Sequence, residues 1–179
     1  MKKIKVAING FGRIGRAFFK VAKEKEEVEI IAINELGSKE NMEYLLKYDT
    51  VYGASSYDLK NVKYLSEKDP TKLPWKDLDI DVVVESTGLF ASSEKAQAHI
   101  DAGAKRVVIS APIKDGETIL MGINEEKLKN CIISSNASCT TNAGSPILAI
   151  LDETIGIEKA LLNTIHDYTA SQSLIDSHS

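Results

Sequence analysis

Three glycines near the start of the chain lie between an apolar run and an amphipathic stretch. Gly10, Gly12 and Gly15 form the pattern G-x-G-x-x-G within the segment VAINGFGRIGR. Such glycines permit a tight turn, close approach of a pyrophosphate to the backbone, and close packing of the following helix. The N–H groups at the start of that helix, at Arg13 and Ile14, can bind phosphate. The pattern predicts a dinucleotide site, and a turn that is rich in glycine for other reasons is the alternative.

An acidic residue follows the next apolar run. Glu35 comes 20 residues after Gly15, where a carboxylate is expected to accept hydrogen bonds from the ribose hydroxyls of the adenosine. The same carboxylate would repel a 2′-phosphate, so we expect NAD to be preferred over NADP.

Two further residues could perform covalent chemistry. Cys139, in SSNASCTTN, follows a predicted strand and begins a predicted helix, where N–H groups and the helix dipole lower the pKa of a thiol. His166, in TIHDYTASQ, could take the thiol proton and later serve as acid or base toward a substrate oxygen. Taken alone, each could be an ordinary structural residue. Together they indicate a nucleophilic thiol with its base.

The remaining cysteine and histidines receive no functional role. Cys131 begins an apolar run and is predicted to be an inert buried thiol. His99 lies on a polar helix face and His178 near the end of the chain, and we expect both to be solvated. The two cysteines are eight positions apart without a CxxC spacing or clustered histidines, so neither a disulfide framework nor a metal site is indicated.

These residues need a scaffold, and the pattern of the sequence supplies one. Apolar runs of strand length alternate with amphipathic stretches of helix length, which predicts an α/β domain with a doubly wound, mostly parallel sheet. Helices are predicted at 13–25, around Met42 to Leu46, from Ser92 and Ser93 to Gly103, and at 140–152. Strands are predicted at Ile4–Asn9, Val28–Asn34, 81–85, 105–110, 119–121 and 131–135, with a small antiparallel insertion at 57–65.

The character of the sequence changes from about Glu158. The segment KALLNTIHDYT, residues 159–169, is apolar and resembles a long strand. We interpret residues 1–140 as a dinucleotide-binding domain. Residues 141–179 are then the helix and first strand of a second, α+β catalytic domain that the chain leaves incomplete, and we expect weak cofactor binding without turnover from these 179 residues alone.

Composition argues against several kinds of partner. The chain has 43% hydrophobic and 27% charged residues and a net charge of −4, with both signs mixed throughout. No single basic face is therefore available for nucleic acid or an anionic membrane surface. The apolar run near the amino terminus is too short for a signal peptide or a membrane span. We expect a cytoplasmic protein.

Five segments in the same order resemble the phosphorylating glyceraldehyde-3-phosphate dehydrogenase family. They are NGFGRIGR, LLKYDTVYG at 45–53, ESTGLF at 85–90, SNASCTTN around Cys139, and an H-x-x-T-x-x-Q run from His166 to Gln172. The resemblance implies a Rossmann-type fold, NAD as cofactor, glyceraldehyde 3-phosphate and inorganic phosphate as substrates, and a homotetramer. The implied reaction is the glycolytic oxidation and phosphorylation of the aldehyde to 1,3-bisphosphoglycerate through a cysteine thioester.

The resemblance also implies a role for each matching residue. On the cofactor, Arg13 and Ile14 would contact the pyrophosphate, Glu35 the adenosine ribose, Lys68 the adenine edge, and Thr87 and Ser110 the nicotinamide side. On the substrate, Cys139 would attack the aldehyde, His166 would activate the thiol, and Ser138, Thr140 and Thr169 would hold phosphate oxygens.

The chain departs from the family pattern at several positions. The family more often has aspartate at Glu35, a second cysteine at Ala143, and asparagine-aspartate at Ala170 and Ser171. Ser177 and His178 are polar where NAD-specific members usually have apolar residues, so the preference for NAD is expected to be small.

Two alternatives stay open. Glu35 is also expected in the similar erythrose-4-phosphate dehydrogenases, whereas Thr169 favours the glyceraldehyde enzyme. A dinucleotide-binding module without turnover would need only the glycine loop and Glu35.

Overall fold

One parallel sheet organises the chain. The computed structural model describes residues 2–169 and 174. The strands are β1 Ile4–Asn9, β2 Val28–Asn34, β3 Tyr48–Asp49, β4 Gly53–Ala54, β5 Lys63–Leu65, β6 Val82–Glu85, β7 Arg106–Ile109, β8 Glu117–Thr118 and β9 Ile133–Ser135. The helices are α1 Arg13–Lys23, α2 Lys39–Lys47, α3 Ser93–Asp101 and α4 Cys139–Thr154.

Seven of these strands pair in the order β5-β2-β1-β6-β7-β9-β8, and every neighbouring pair is parallel. Helices cover both faces of this sheet. Side chains alternate along a strand, so Val6 and Ile8 of β1 pack with the α1 and α2 side of the core, while Ala7 packs on the α3 side with Trp75. The predicted doubly wound α/β fold is confirmed.

The strand order reverses direction at β1. The chain passes from β1 to β2 on one side and later returns to β6 on the other side. Asn9 and Glu85, the last residues of β1 and β6, lie opposite each other at this point. Ligands of open α/β sheets bind outside the carboxyl ends of the strands where the order reverses.

Two predicted strand positions were wrong. The strand expected at 119–121 lies at Glu117–Thr118, because the Asn124 side chain accepts from Leu120 N and donates to Thr118 O, which turns the chain. The antiparallel insertion expected at 57–65 is instead β5, which pairs parallel with β2. The antiparallel hairpin lies earlier, at β3 and β4.

The strand expected within residues 159–169 does not form. These described residues have no regular structure, and Leu161 and Ile165 are almost fully exposed. A strand gains its stability from a partner ladder, and no described strand pairs with this segment. Helix α4, which precedes it, has no buried residue. None of the helices in the described ranges is long and apolar enough to cross a membrane.

Candidate active site

The glycine loop sits directly after β1, at the point where the strand order reverses. Gly10 has a φ of 90°, and a Cβ there would lie 2.7 Å from the backbone nitrogen of Thr87. A Cβ on Gly15 would lie 2.2 Å from the carbonyl oxygen of Gly10, so α1 packs against the loop only because residue 15 is glycine. Gly12 differs from both, since a Cβ there would meet no atom within 4 Å. Backbone atoms therefore pack closely around Gly10 and Gly15, whereas the space beside Gly12 is open.

Glu35 holds this loop in place. One carboxylate oxygen accepts from Phe11 N at 2.7 Å, and the other accepts from Leu36 N at 2.7 Å and Gly37 N at 3.2 Å. Each carboxylate oxygen has two lone pairs, so the group keeps acceptor capacity for a further donor. The predicted ribose contact is compatible with this arrangement.

A cavity of about 1140 Å³ opens at the loop. Ten of the predicted site residues line it: Gly10, Gly12, Arg13, Ile14, Glu35, Lys68, Thr87, Cys139, His166 and Thr169. Four do not: Gly15, which packs inside the loop, Ser110, whose N–H bonds to Glu85 O, and Ser138 and Thr140, which flank the thiol. Their roles toward ligands stay predictions.

Cys139 is the first residue of α4, a helix of 16 residues. Ser138 caps this helix, because its hydroxyl oxygen accepts from Thr140 N at 3.3 Å. The preceding turn places Ala137 at a φ of 60°, and Ala137 N donates to Ser135 Oγ. Asn142 closes the turn by donating to the carbonyl oxygens of Asn136 and Ser138. These bonds fix the start of α4, where Cys139 lines the cavity.

His166 lies beside the thiol. Its Nε2 is 3.1 Å from Cys139 Sγ, and its Nδ1 donates to the Asp167 carbonyl oxygen at 2.6 Å. The contact with His166, followed by that with the Ser138 hydroxyl, lowers the pKa of the Cys139 thiol. The Asp167 carbonyl and then the Cys139 sulfur raise the pKa of His166. Both shifts favour a thiolate–imidazolium pair.

Cys131 has the opposite surroundings. It is partly buried, its thiol donates to the Ile133 carbonyl oxygen at 2.8 Å, and burial together with the Glu117 carboxylate raises its pKa. Of the two cysteines, Cys139 is the one whose environment favours the reactive thiolate.

One prediction about the site's surroundings was wrong. His99, expected to be solvated, is completely buried and contacts Glu85 and Trp75. The face of α3 that carries it turns inward with Ala96, and the polar neighbours along the sequence concealed this orientation. Sequence reasoning also missed Asn9 and Asn34, whose signal was a polar residue ending each of two apolar strands.

The residues at the cavity fit a dinucleotide. Gly12 brings no side chain to the start of α1, and the space beside it is open, which suits a pyrophosphate at a helix N-terminus. Lys68, Glu35 and Cys139 line the same cavity. The predictions for Ala170, Ser171, Gln172, Ser177 and His178 lie outside the described residues.

Comparison with known families decides the relationship. Residues 4–93 match the family model described as glyceraldehyde 3-phosphate dehydrogenase, NAD binding domain, and residues 138–179 match the C-terminal domain of the same enzyme. The chain belongs to the glyceraldehyde-3-phosphate dehydrogenase family. Its first half is the NAD-binding domain of that family, and NAD is the cofactor of this domain.

Several curated relatives carry the family name. The chain is 45% identical to glyceraldehyde-3-phosphate dehydrogenase 2 of Bacillus subtilis over 98% of this chain and 56% of the relative. It is 46% identical to the glyceraldehyde-3-phosphate dehydrogenase of Thermotoga maritima, over 96% and 56%, and 45% identical to that of Chlamydia muridarum, over 98% and 57%. The chain spans about half the length of the curated relatives it matches.

Proposed function

We propose that this chain binds NAD and supplies the nucleophilic thiol for the phosphorylating oxidation of glyceraldehyde 3-phosphate. The observation that carries the proposal is the 3.1 Å contact between Cys139 Sγ and His166 Nε2 in the cavity that the glycine loop also lines. A thiol with an adjacent imidazole base, in the same cavity as a dinucleotide-binding loop, suits the oxidation of an aldehyde that is held covalently. The names of the relatives agree with this reaction.

The cofactor would be held along the cavity. Gly12 and the first turn of α1, with Arg13 and Ile14, would hold the pyrophosphate, and Glu35 the adenosine ribose. Lys68 would lie at the adenine edge. Thr87 and Ser110 would lie on the nicotinamide side. When bound there, NAD supplies the hydride acceptor for the oxidation.

The chain's own residues would then carry the substrate through three changes. The Cys139 thiolate adds to the aldehyde carbon while His166 gives its Nε2 proton to the aldehyde oxygen, which forms a thiohemiacetal. His166 takes back the hydroxyl proton as a hydride leaves the same carbon, and a thioester remains. Inorganic phosphate then attacks the thioester carbon, the carbon–sulfur bond breaks, and 1,3-bisphosphoglycerate leaves with the thiolate restored.

Hydroxyl groups near the thiol are available for the phosphates. Ser138 Oγ and Thr140 Oγ1 are 3.0 Å apart beside Cys139, and Thr169 lines the cavity. We assign these three residues to the substrate phosphate and the attacking phosphate. We also assign residues 1–140 to the cofactor domain and 141–179 to the catalytic domain.

The test is NADH formation by the protein from NAD, phosphate and an aldehyde. When this chain is joined to a complete catalytic domain, we expect glyceraldehyde 3-phosphate to be oxidised, Cys139→Ser to abolish the reaction while NAD binding remains, and Cys131→Ser to retain it. The 179 residues alone are expected to bind NAD weakly without turnover. Faster reaction with erythrose 4-phosphate would assign the chain to that substrate instead, which is the alternative that Glu35 favours. Binding of NAD with neither aldehyde oxidised would identify a module without turnover.

A further inference from the structure

A chain of buried hydrogen bonds runs beneath the carboxyl ends of β2, β1 and β6. Asn34 Nδ2 donates to Asn9 Oδ1 at 2.7 Å, and Asn9 Nδ2 donates to Glu85 Oε2 at 2.6 Å. His99 Nε2 lies 3.0 Å from the same Glu85 oxygen, and Trp75 Nε1 lies 3.1 Å from His99 Nδ1. Glu85 is 1% exposed and His99 is 0% exposed. The reaction proposed above gives this network no part.

The indole of Trp75 determines the protonation state of His99. An indole N–H can only donate, so His99 Nδ1 must carry a lone pair. The ring's one proton is then on Nε2, where it is donated to Glu85. Turning the ring over would place carbon atoms against both partners and lose both bonds. His99 is therefore a neutral imidazole held in one tautomer.

Glu85, in contrast, is surrounded by donors. Its Oε2 accepts from Asn9 Nδ2 and from His99 Nε2. Its Oε1 accepts from Thr87 N at 2.8 Å and from the Thr87 hydroxyl. An ionised carboxylate accepts all four bonds, whereas a protonated one would lose the bond that the Thr87 hydroxyl donates and would have to donate to that hydroxyl instead. None of these four partners carries a charge, so the bonds stabilise the anion without neutralising it.

This carboxylate is bonded to a residue that lines the cofactor cavity. Thr87, which is bonded to Glu85 twice, lines the same cavity as Cys139 and His166. A Cβ added to Gly10 of the glycine loop would also come closest to the Thr87 backbone. Glu85 is thus separated only by Thr87 from the cavity that the glycine loop and the thiol also line.

We infer that Trp75, His99 and Glu85 hold a fixed negative charge beneath the turn at residues 86–90, and that this charge favours the oxidised over the reduced nicotinamide. The inference rests on the proposed binding of NAD. The oxidised nicotinamide ring carries a positive charge and the reduced ring is neutral, so a buried carboxylate attracts only the first. Glu85 acts here as a positioning residue for Thr87. Its charge acts on the nicotinamide ring through the electrostatic field and not through direct contact.

The test compares dissociation constants of the protein for NAD⁺, NADH and ADP-ribose, which lacks nicotinamide. Glu85→Gln removes the charge and nearly keeps the shape. Glu85→Asp keeps a carboxylate close to the original position while it disturbs the hydrogen bonds. Glu26→Gln makes the same chemical change at an exposed site.

Glu85→Gln is expected to lower the preference for NAD⁺ over NADH by about three- to tenfold, because the attraction of one buried charge for the oxidised ring is lost. Glu85→Asp and Glu26→Gln should keep the preference of the unmodified protein. An unchanged ratio in Glu85→Gln, or an equal change in Glu85→Asp, would overturn the inference. If the unmodified protein binds neither dinucleotide, the proposed function itself fails.

A second measurement needs no variant and so does not depend on the folding of Glu85→Gln. Nitrogen-15 spectra of the imidazole rings at neutral pH should show His99 as a neutral ring protonated on Nε2 alone. A ring protonated on both nitrogens would cancel the Glu85 charge and contradict the inference.

Discussion

The glycine loop and the thiol, which line the same cavity, are built differently. At the glycine loop, Asn9, Phe11 and Glu85 are buried, and the loop backbone touches Thr87 and α1 closely enough to exclude a methyl group. At the thiol, Cys139 and His166 are exposed and α4 has no buried residue. The glycine loop is therefore fixed by packing of the core, and the thiol by a helix cap and a few hydrogen bonds.

This difference separates stability from reactivity. Changes in the glycine loop should lower the free energy of unfolding, since the loop is part of the core. Changes around Cys139 should leave the core intact and alter the pKa and the reaction rate of one thiol.

The largest expected effect is that of Gly15→Ala. Its methyl group would lie 2.2 Å from Gly10 O, so we expect a loss of about 3 kcal/mol in the free energy of unfolding and a Tm lower by about 10 °C. Gly12→Ala is the matched control, because its methyl group points into open space. It should keep the Tm within about 2 °C and weaken NAD binding. Equal melting temperatures for both variants would contradict the close packing described for the loop.

His166→Asn should act on the thiol alone. Without the imidazole, the pKa of Cys139 rises toward the ordinary thiol range, because His166 is the main cause of its lowering. At neutral pH the alkylation rate of Cys139 should fall, because a smaller fraction of the thiol is then ionised. The Tm should hardly change, and alkylation of Cys131 should not change at all. An unaltered rate at Cys139 would show that the 3.1 Å contact does not control the thiol.

Glu35→Gln is expected to change both cofactor preference and the stability of the glycine loop. Loss of the charge should reduce the preference for NAD over NADP by about fivefold, since repulsion of the 2′-phosphate disappears. Loss of an acceptor oxygen for Phe11 N should also destabilise the loop by about 1 kcal/mol. Dissociation constants for both cofactors measure the first effect, with the exposed Glu29→Gln as control. Tighter NADP binding to the unmodified protein would mean that Glu35 has another role.

The smallest effect belongs to the helix cap. Ser138→Ala removes the acceptor for Thr140 N and should cost about 1 kcal/mol, a Tm lower by about 3 °C. It should also raise the pKa of Cys139 slightly, because the Ser138 hydroxyl contributes to its lowering. Ser92→Ala removes the equivalent cap of α3 and should lower the Tm similarly without any effect on the thiol. Equal thiol reactivity in both variants would limit Ser138 to a structural role.

The sequence predicted the elements that depend on local pattern. The strands β1, β2, β6 and β7 and the loop glycines follow from alternating apolar runs and from fixed spacing within a single turn. The position of Cys139 at the start of a helix could be predicted in the same way, since the sequence pattern predicts both the strand before it and the helix that it begins. Pattern and spacing act over a few residues, which is why these parts were accessible.

Other features depend on contacts that distant segments make. His99 is buried because Trp75, Glu85 and Phe90 approach it from other parts of the fold. The apolar residues Leu161 and Ile165 suggested a strand, yet a strand also needs a partner ladder, and the described sheet offers none to this segment. The strand expected at 119–121 was displaced by two hydrogen bonds of the Asn124 side chain, which periodicity does not reveal.

The central claim is that Cys139 is a poised thiolate and Cys131 is not. It is tested most directly by the rate of alkylation of both cysteines in the same molecule, followed by mass spectrometry as a function of pH. A thiol reacts as the thiolate, so each rate rises as the pH passes the pKa. The rate at Cys139 should rise at a pH below that of an ordinary thiol and the rate at Cys131 above it, in keeping with their shifted pKa values. Curves that rise at the same pH would contradict the account.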